Sequence, residues 1–312
     1  MASAVLGWAA AAVAWFLARY VGVVVVLYAL STASELAGFA ARVLVSWLAL
    51  ILVALYGVAT SVVLRLTGGD RWQSAQWATA RAFKYVMAAA AGITFVVDDP
   101  RDVLLTTRPA VFVGNHQSAL DVLMLGCMFP RFCSVTAKAQ LRLYPFLGWF
   151  MRLSGTVFID RANSQDARQA MSGAADAIRS RRQSVYIFPE GTRSHSVEPT
   201  LLPFKKGAFH LAVQAGVPIV PVVVANYSHI YLTAKFRFRT GRIPVKVLDP
   251  IPTVGLTADD VADLTTRVRD LMLRELIALT AEARSLSRKD ASLAAPVKAE
   301  KAVSSSIKVA AA

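Results

Sequence analysis

A histidine and an aspartate five residues apart are the side chains of this sequence best suited to catalysis. His116 and Asp121 lie in the heptapeptide Asn115–Asp121 (NHQSALD), directly after the apolar run Ala110–Val113. This run predicts a buried strand, and a strand end can present an imidazole to a pocket. Asp121 then falls in the first turns of a helix, close enough to hold the ring. A histidine oriented by a carboxylate is a general base that can deprotonate a hydroxyl near neutral pH.

The same heptapeptide also fits an ordinary helix start. Asn and Asp are common capping residues, and His116 would then be a packed side chain without chemistry. The position of His116 at a strand end keeps the catalytic interpretation open beside this one.

A second segment, Thr156–Arg161 (TVFIDR), has strand character and ends in an acid and an arginine. The planar guanidinium of Arg161 can bind a phosphate through paired hydrogen bonds. A surface ion pair or a helix cap is the alternative interpretation of Asp160 and Arg161.

A third segment, Phe188–Arg193 (FPEGTR), follows the predicted strand Val185–Phe188. Its proline and glycine favour a tight turn, Gly191 lets a ligand approach the backbone, and Arg193 offers a charged fork. The turn therefore suits a cluster of anionic oxygens, although a plain β-turn explains the pattern equally well.

Two further features extend this picture. Lys205 and Lys206 stand at a predicted helix start and can attract an anionic substrate or lipid, or form a solvated turn. The run Val217–Val224 (VPIVPVVV) predicts a buried strand that packs in the core and can border an apolar channel. Together with the two arginines and the His–Asp pair, these features indicate attack by the hydroxyl of an amphiphile that carries a phosphate.

Several other chemistries are excluded or disfavoured. The sequence has no G-x-S-x-G elbow, so a serine acyl-enzyme is not supported, and Ser118 is interpreted as a bystander. It has no phosphate-binding lysine loop and no dinucleotide fingerprint. The two cysteines, Cys127 and Cys133, predict buried free thiols rather than a disulfide framework or a metal site. We therefore expect no metal and no cofactor.

The composition indicates a membrane protein that works beside anionic groups. Of 312 residues, 55% are hydrophobic, and 34 Lys and Arg against 20 Asp and Glu leave a net charge of +14. The mean hydropathy is +0.48. Such charge also occurs in nucleic-acid-binding proteins. Here the basic residues are scattered among apolar helices rather than interleaved with aromatics in a polar domain, so we expect no nucleic-acid partner.

The first 66 residues are predicted to anchor the chain in a membrane. Val43–Leu64 is uncharged and long enough to cross a bilayer as a helix. Residues 3–34 contain a single charged residue, Arg19. This stretch predicts either one tilted transmembrane helix or an interfacial helix followed by a transmembrane helix. More basic residues follow Leu64 than precede Val43, which by the positive-inside rule places the downstream domain in the cytosol.

Short β-branched runs alternate with helical patterns from about residue 92, which predicts an α/β domain with a mixed sheet covered by helices. The predicted strands are residues 93–97, 110–113, 185–188, 219–224 and 245–248, and the predicted helices are residues 164–182, 204–214 and 257–284. Residues 285–312 are rich in Ser, Ala and Lys and predict a disordered basic tail.

Four ordered blocks identify a resemblance. NHQSALD resembles the NHxSxxD box of the glycerolipid acyltransferases, and GTVFIDR, FPEGTR and VPIVPV are similar to the family's other blocks in order and spacing. The resemblance covers about residues 70–280 and is strongest to the fungal 1-acyl-sn-glycerol-3-phosphate acyltransferases. It implies that residues 67–284 form the acyltransferase domain, behind the membrane anchor 1–66.

The resemblance also implies a reaction: acyl transfer from acyl-CoA, as co-substrate, to the sn-2 hydroxyl of lysophosphatidate, without an acyl-enzyme. His116 would be the general base and Asp121 its partner. The implied substrate-binding residues are Asn115, Arg161, Glu190, Gly191, Thr192 and Arg193.

Three alternatives stay open. The acceptor can be another lysophospholipid such as lysophosphatidylinositol, the chain can be an inactive membrane lipid-binding protein, or charge alone can drive binding of anionic lipid or nucleic acid. The expected location is a membrane, the endoplasmic reticulum or the lipid droplet, with membrane lipids as partners.

Overall fold

A computed structural model describes residues 2–160 and 164–294, which form an α/β domain behind two long helices. The helices are α1 (Ala2–Leu30), α2 (Glu35–Leu66), α3 (Ala75–Ala91), α4 (Val103–Thr106), α5 (Asp121–Met128), α6 (Leu147–Leu153), α7 (Ser164–Arg181), α8 (Gly207–Ala215) and α9 (Val261–Ala294). The strands are β1 (Ile93–Asp98), β2 (Val111–Gly114), β3 (Cys133–Lys138), β4 (Val157–Ile159), β5 (Ser184–Ile187), β6 (Ile219–Val224), β7 (Tyr231–Leu232), β8 (Arg237–Phe238) and β9 (Gly241–Val247).

Seven strands form one mixed sheet in the order β1-β9-β6-β2-β5-β3-β4, and β7 and β8 form a separate hairpin. Strands β6, β2, β5, β3 and β4 are parallel, β9 is antiparallel to β6, and β1 is parallel to β9. In the centre of the sheet, Val113 of β2 pairs with Ile187 of β5 on one side and with Pro221 of β6 on the other. The predicted mixed sheet covered by helices is confirmed.

Both faces of the central strands are buried because helices cover each of them. Phe112 packs into a core with residues of α3 and α5, while Val111 and Val113 face a second core with residues of α7, α8 and α9. Alternate side chains of a strand point to opposite faces, so one short apolar run supplies both cores. Because helices cover both faces of the sheet, the side chains that can meet a ligand lie at the ends of the strands.

Helix α2 packs on the domain through one face. Its buried residues recur at helical spacing: Gly38, Ala41, Ala49, Val53, Ala54, Gly57 and Ser61. Glu35 at its start forms an ion pair with Arg239, and the Arg65 side chain near its end donates to the Leu153 carbonyl at 2.9 Å. Contacts therefore join both ends of α2 to the domain.

The described residues include two helices that are long and apolar enough to cross a membrane, Gly7–Leu30 and Glu35–Leu66. The first continues through Arg19, whose guanidinium lies 3.5 Å from the centre of the Trp15 ring. The predicted helix Val43–Leu64 lies within α2, and the first apolar stretch is a single helix.

The predicted strands correspond to β1, β2, β5, β6 and β9, although β9 begins four residues before the predicted start. Its Pro244 lies opposite Val96 of β1. Strand β3 was not predicted, since Cys133–Lys138 mixes polar and apolar residues. Helix α9 continues to Ala294, so the predicted helix end at Arg284 is wrong. Residues 295–312 lie outside the described residues.

Cys127 and Cys133 are buried free thiols, as predicted.

Candidate active site

The NHQSALD segment begins at the carboxyl end of β2, in the centre of the sheet. The strand ends at Gly114, where a β-carbon would lie only 1.9 Å from the Tyr186 hydroxyl on β5. Glycine is required there because no other residue permits this approach. The chain then turns, and His116 emerges with 17% of its side chain exposed.

His116 and Asp121 form the predicted pair. The His116 Nδ1 and an Asp121 carboxylate oxygen, Oδ2, are 2.7 Å apart, and the Asp121 side chain is only 1% exposed. A carboxylate can only accept, so in the neutral imidazole Nδ1 carries the proton and Nε2 is left as the acceptor. Phe188 stacks on the ring with centroids 4.1 Å apart, which restricts its rotation. The arrangement is that of an oriented general base.

Asp121 is held by donors on both carboxylate oxygens. Its Oδ2 also accepts from the backbone N–H groups of Gln117 at 2.7 Å and Ser118 at 3.1 Å. Its Oδ1 accepts from the Tyr227 hydroxyl at 2.7 Å. Burial and the nearby Asp121 charge raise the pKa of Tyr227 well above its usual value, so this hydroxyl remains a donor. Buried charge is tolerated because these hydrogen bonds replace water.

The Tyr227 hydroxyl is itself part of a chain. It lies 2.8 Å from the Ser118 hydroxyl, and Ser118 Oγ in turn accepts from the Leu120 N–H at 3.1 Å. Since Tyr227 donates to Asp121, Ser118 donates to Tyr227. Ser118 therefore supports the aspartate, which agrees with its interpretation as a bystander rather than a nucleophile.

Two amides fasten the loop to β6. Asn115 donates to the Val224 carbonyl at 3.0 Å and accepts from the Val224 N–H at 2.8 Å, so it extends the ladder between β2 and β6. Gln117 donates to the carbonyls of Val224 and Ala225 at 3.1 and 3.0 Å. Both side chains are buried. Asn115, predicted among the substrate-binding residues, is placed here as a support of the loop.

Glu190 links two loops through its carboxylate. One of its carboxylate oxygens accepts from the His116 backbone N–H at 2.6 Å, and the other accepts from the Leu202 N–H at 2.9 Å. Burial raises the pKa of this carboxyl, and the two N–H donors act against that rise. The residue is 3% exposed. Glu190 thus joins the His116 loop to the segment before α8.

The rest of the FPEGTR turn lies at the rim of the site. Gly191 has a φ of +72°, which favours glycine, and a β-carbon there would meet the Lys205 side chain at 2.8 Å. Thr192 and Arg193 are exposed. The next residue, Ser194, donates its N–H to the His116 carbonyl at 2.9 Å. The turn that carries Arg193 is therefore bonded directly to the histidine loop.

Arg161 is the second predicted arginine. Arg161 lies outside the described residues, directly after Asp160, which follows β4. Strands β4 and β2 are parallel members of one sheet. The described part of the chain thus brings together His116, Asp121 and the 190–193 turn.

Sequence reasoning missed three supporting residues: Tyr227, Gln117 and the stacking ring of Phe188. Gln117 and Phe188 lie inside quoted motifs, but nothing in a single sequence shows which way they point. Tyr227 stands three residues beyond the VPIVPVVV run, 106 positions from Asp121. Only the pairing of β2 with β6 brings it there.

Comparison with known proteins defines the class. Residues 97–225 match the family described as Acyltransferase. The fold resembles the crystal structure of the 1-acyl-sn-glycerophosphate (LPA) acyltransferase PlsC from Thermotoga maritima, with a TM-score of 0.58 and 23% identity, over 84% of this chain and 97% of that chain. The family match and the fold both indicate the acyltransferase class.

Relatives identify the family more closely. The chain is 44% identical to the 1-acyl-sn-glycerol-3-phosphate acyltransferase of Saccharomyces cerevisiae, over 71% of this chain and 72% of that protein. It is 46% identical to the human enzyme 1-acyl-sn-glycerol-3-phosphate acyltransferase alpha, over 54% of this chain and 58% of that protein. The chain belongs to the 1-acyl-sn-glycerol-3-phosphate acyltransferase family, and the predicted resemblance is confirmed.

Proposed function

We propose that the protein transfers an acyl chain from acyl-CoA to the sn-2 hydroxyl of lysophosphatidate, which gives phosphatidate and free CoA. The observation that carries the proposal is the imidazole of His116, which is fixed through Nδ1 by a buried carboxylate. The family relationship and the names of the relatives support the choice of acceptor. Acyl-CoA enters as a co-substrate, and the proposed reaction uses no cofactor.

In the proposed mechanism His116 Nε2 takes the proton of the sn-2 hydroxyl while its oxygen attacks the thioester carbonyl carbon. The new C–O bond forms, the C–S bond breaks, and the CoA thiolate leaves. The imidazolium returns its proton to this thiolate, so the base is regenerated. Asp121 stabilises the imidazolium because its carboxylate lies 2.7 Å from Nδ1 and is fixed there by three further donors. No serine or cysteine adduct is required.

The acceptor phosphate is assigned to the arginine side of the site. Arg193 is exposed on the turn whose next residue bonds to the His116 carbonyl, which supports its assignment to the acceptor phosphate. Arg161 follows the end of β4, the edge strand separated from β2 by β5 and β3, and is proposed as the second cation. Gly191 and Thr192 shape this rim, while Asn115 and Glu190 hold the loop that carries His116. Guanidinium groups favour phosphate through charge-assisted hydrogen bonds.

The acceptor can be tested with a panel of lysolipids and labelled acyl-CoA. We expect the highest kcat/KM with lysophosphatidate, because its exposed phosphomonoester carries more charge to the arginines than a phosphodiester does. Lysophosphatidylinositol is the main competitor in the panel. Equal or faster acylation of lysophosphatidylinositol would contradict lysophosphatidate as acceptor while leaving acyl transfer intact. No turnover with any acceptor would instead favour an inactive lipid-binding protein.

Replacement of Tyr227 by phenylalanine tests the support of Asp121. The change leaves one buried carboxylate oxygen without its donor, so the aspartate holds the imidazolium more tightly. We expect the acid limb of the pH–rate profile to move to higher pH, with a loss in rate at neutral pH of roughly tenfold or more, since a hydrogen bond to a charged group is worth about 1.5–3 kcal/mol.

Tyr186→Phe is the matched control. Tyr186 is another fully buried tyrosine, and its hydroxyl has no hydrogen-bond partner among the described residues. Its removal should leave the pH profile in place. An unchanged profile for Tyr227→Phe would remove Tyr227 from the proposed role.

We propose that α1 and α2 attach the protein to the endoplasmic reticulum or the lipid droplet, with the catalytic domain in the cytosol. The two apolar helices support membrane attachment, and the basic residues after Leu64 support this orientation. Protease added outside sealed microsomes should cleave the domain without detergent, while a lumenal marker stays intact. Cleavage only after detergent would refute the orientation.

A further inference from the structure

An exposed apolar segment lies between β3 and β4, outside the site. Leu143 is 73% exposed, Tyr144 56% and Trp149 50%. The Trp149 ring packs edge-on against Phe146 with centroids 5.2 Å apart. Large apolar side chains that cluster on a surface mark an interaction site more often than isolated ones do.

The segment is a compact turn. Gly148 approaches the Arg142 carbonyl so closely that a β-carbon there would lie 2.5 Å from that oxygen. The Arg152 guanidinium donates to the same carbonyl at 3.0 Å. This hydrogen bond closes the turn that carries the exposed side chains of Tyr144 and Trp149. Their exposure is therefore built into the local fold.

The charge around this turn has one sign. Residues 139–159 contain no aspartate or glutamate, while Lys138, Arg142 and Arg152 are all exposed. Tyrosine and tryptophan prefer the interface between water and a bilayer, and basic side chains are attracted to anionic headgroups. Apolar rings surrounded by cations are complementary to an anionic bilayer surface.

The turn also continues the exposed face of α2. Phe150 packs against Gly57, where a β-carbon would lie 2.6 Å from the ring, and Arg65 bonds to the Leu153 carbonyl. The same end of α2 exposes apolar side chains: Tyr56 48%, Val62 41%, Val63 57% and Leu66 82%. A bilayer in contact with this part of α2 therefore lies beside the turn.

We propose that residues 142–149 form a second membrane contact, in which Leu143, Tyr144 and Trp149 insert into the headgroup region of an anionic bilayer. Arg142 and Arg152 bind the lipid phosphates around them. The segment leaves the carboxyl end of β3, the edge of the sheet at which His116 emerges from β2. This contact fixes the domain against the bilayer independently of which lipid it acylates.

A fluorescent probe at Leu143 tests the contact. The full-length Leu143→Cys chain is labelled with an environment-sensitive fluorophore and reconstituted into vesicles that contain phosphatidylglycerol. Leu105→Cys is the matched control, since Leu105 is also 73% exposed but lies on α4, in the connection between β1 and β2. Cys127 and Cys133 are buried, and the unsubstituted chain gives the labelling background.

We expect a blue shift at position 143 and loss of its fluorescence when lipids carry a nitroxide near the headgroup, with neither change at position 105. Adding Arg142→Gln and Arg152→Gln should reduce this quenching. Equal quenching at both positions, or none at 143, would overturn the proposal. A blue shift without lipid quenching would also overturn it and indicate contact with a second copy of the chain. Because no step measures turnover, failure here is separate from failure of the proposed reaction.

Discussion

Replacement of His116 by alanine is expected to lower kcat/KM by about 10²- to 10⁴-fold, the usual contribution of a general base. The variant has no acceptor for the sn-2 proton, and the carboxylate of Asp121 is only 1% exposed and too well bonded to replace it. Steady-state rates with acyl-CoA and lysophosphatidate measure the loss. Acyl-CoA binding and membrane association should persist, since Asp121 keeps its other donors, from Gln117, Ser118 and Tyr227.

His210→Ala is the matched control for this experiment. His210 is an exposed histidine on α8, so its loss should leave the rate unchanged. The pair also separates the enzyme from an inactive lipid-binding protein, because only an enzyme loses turnover while retaining lipid binding. If His116→Ala keeps the rate of the unsubstituted protein, His116 is not the base and the mechanism above fails.

The sequence was sufficient to predict the contact between His116 and Asp121 because the two residues are local. His116 and Asp121 stand on either side of one strand-to-helix turn, so strand prediction and spacing alone place them near each other. The central strands were predictable for a similar reason: both their faces are buried, and their sequences are continuous apolar runs. Strand β3 is half-polar and is recognised only by its pairing with β5.

The supporting residues could not be predicted because their partners are distant in sequence. Glu190 was predicted to bind substrate, and a glutamate beside a glycine turn fits that prediction. In the fold its carboxylate accepts from the His116 and Leu202 N–H groups, which only the order of β2 and β5 brings to one place. Asn115 and Tyr227 depend on β6 in the same way. The motifs thus show which residues lie together in sequence, and strand order determines which distant residues bond to them.

Replacement of Asp121 by asparagine should be nearly as damaging as loss of the base, although the side chain keeps its shape. The amide oxygen of the new side chain is the only acceptor for the N–H groups of Gln117 and Ser118, which donate to Oδ2 in the native protein. In one orientation the amide oxygen faces these two N–H groups, and the amide NH₂ faces the Tyr227 hydroxyl. In the other orientation the amide NH₂ faces the two N–H groups, so that donor meets donor.

In the first arrangement the amide oxygen is a weaker, uncharged partner for His116 Nδ1–H, and the imidazolium loses its counter-ion. In the second, the NH₂ forces His116 to accept through Nδ1, which protonates Nε2 and removes the base. A carboxylate-to-amide change at a comparable His–Asp pair lowers kcat by about 10⁴, and we expect a loss of about 10²- to 10⁴-fold here. Asp176→Asn on α7, an exposed aspartate in an ion pair with Arg179, should leave the rate unchanged. Full activity of Asp121→Asn would show that the negative charge beside His116 is not used, and would contradict imidazolium stabilisation by Asp121.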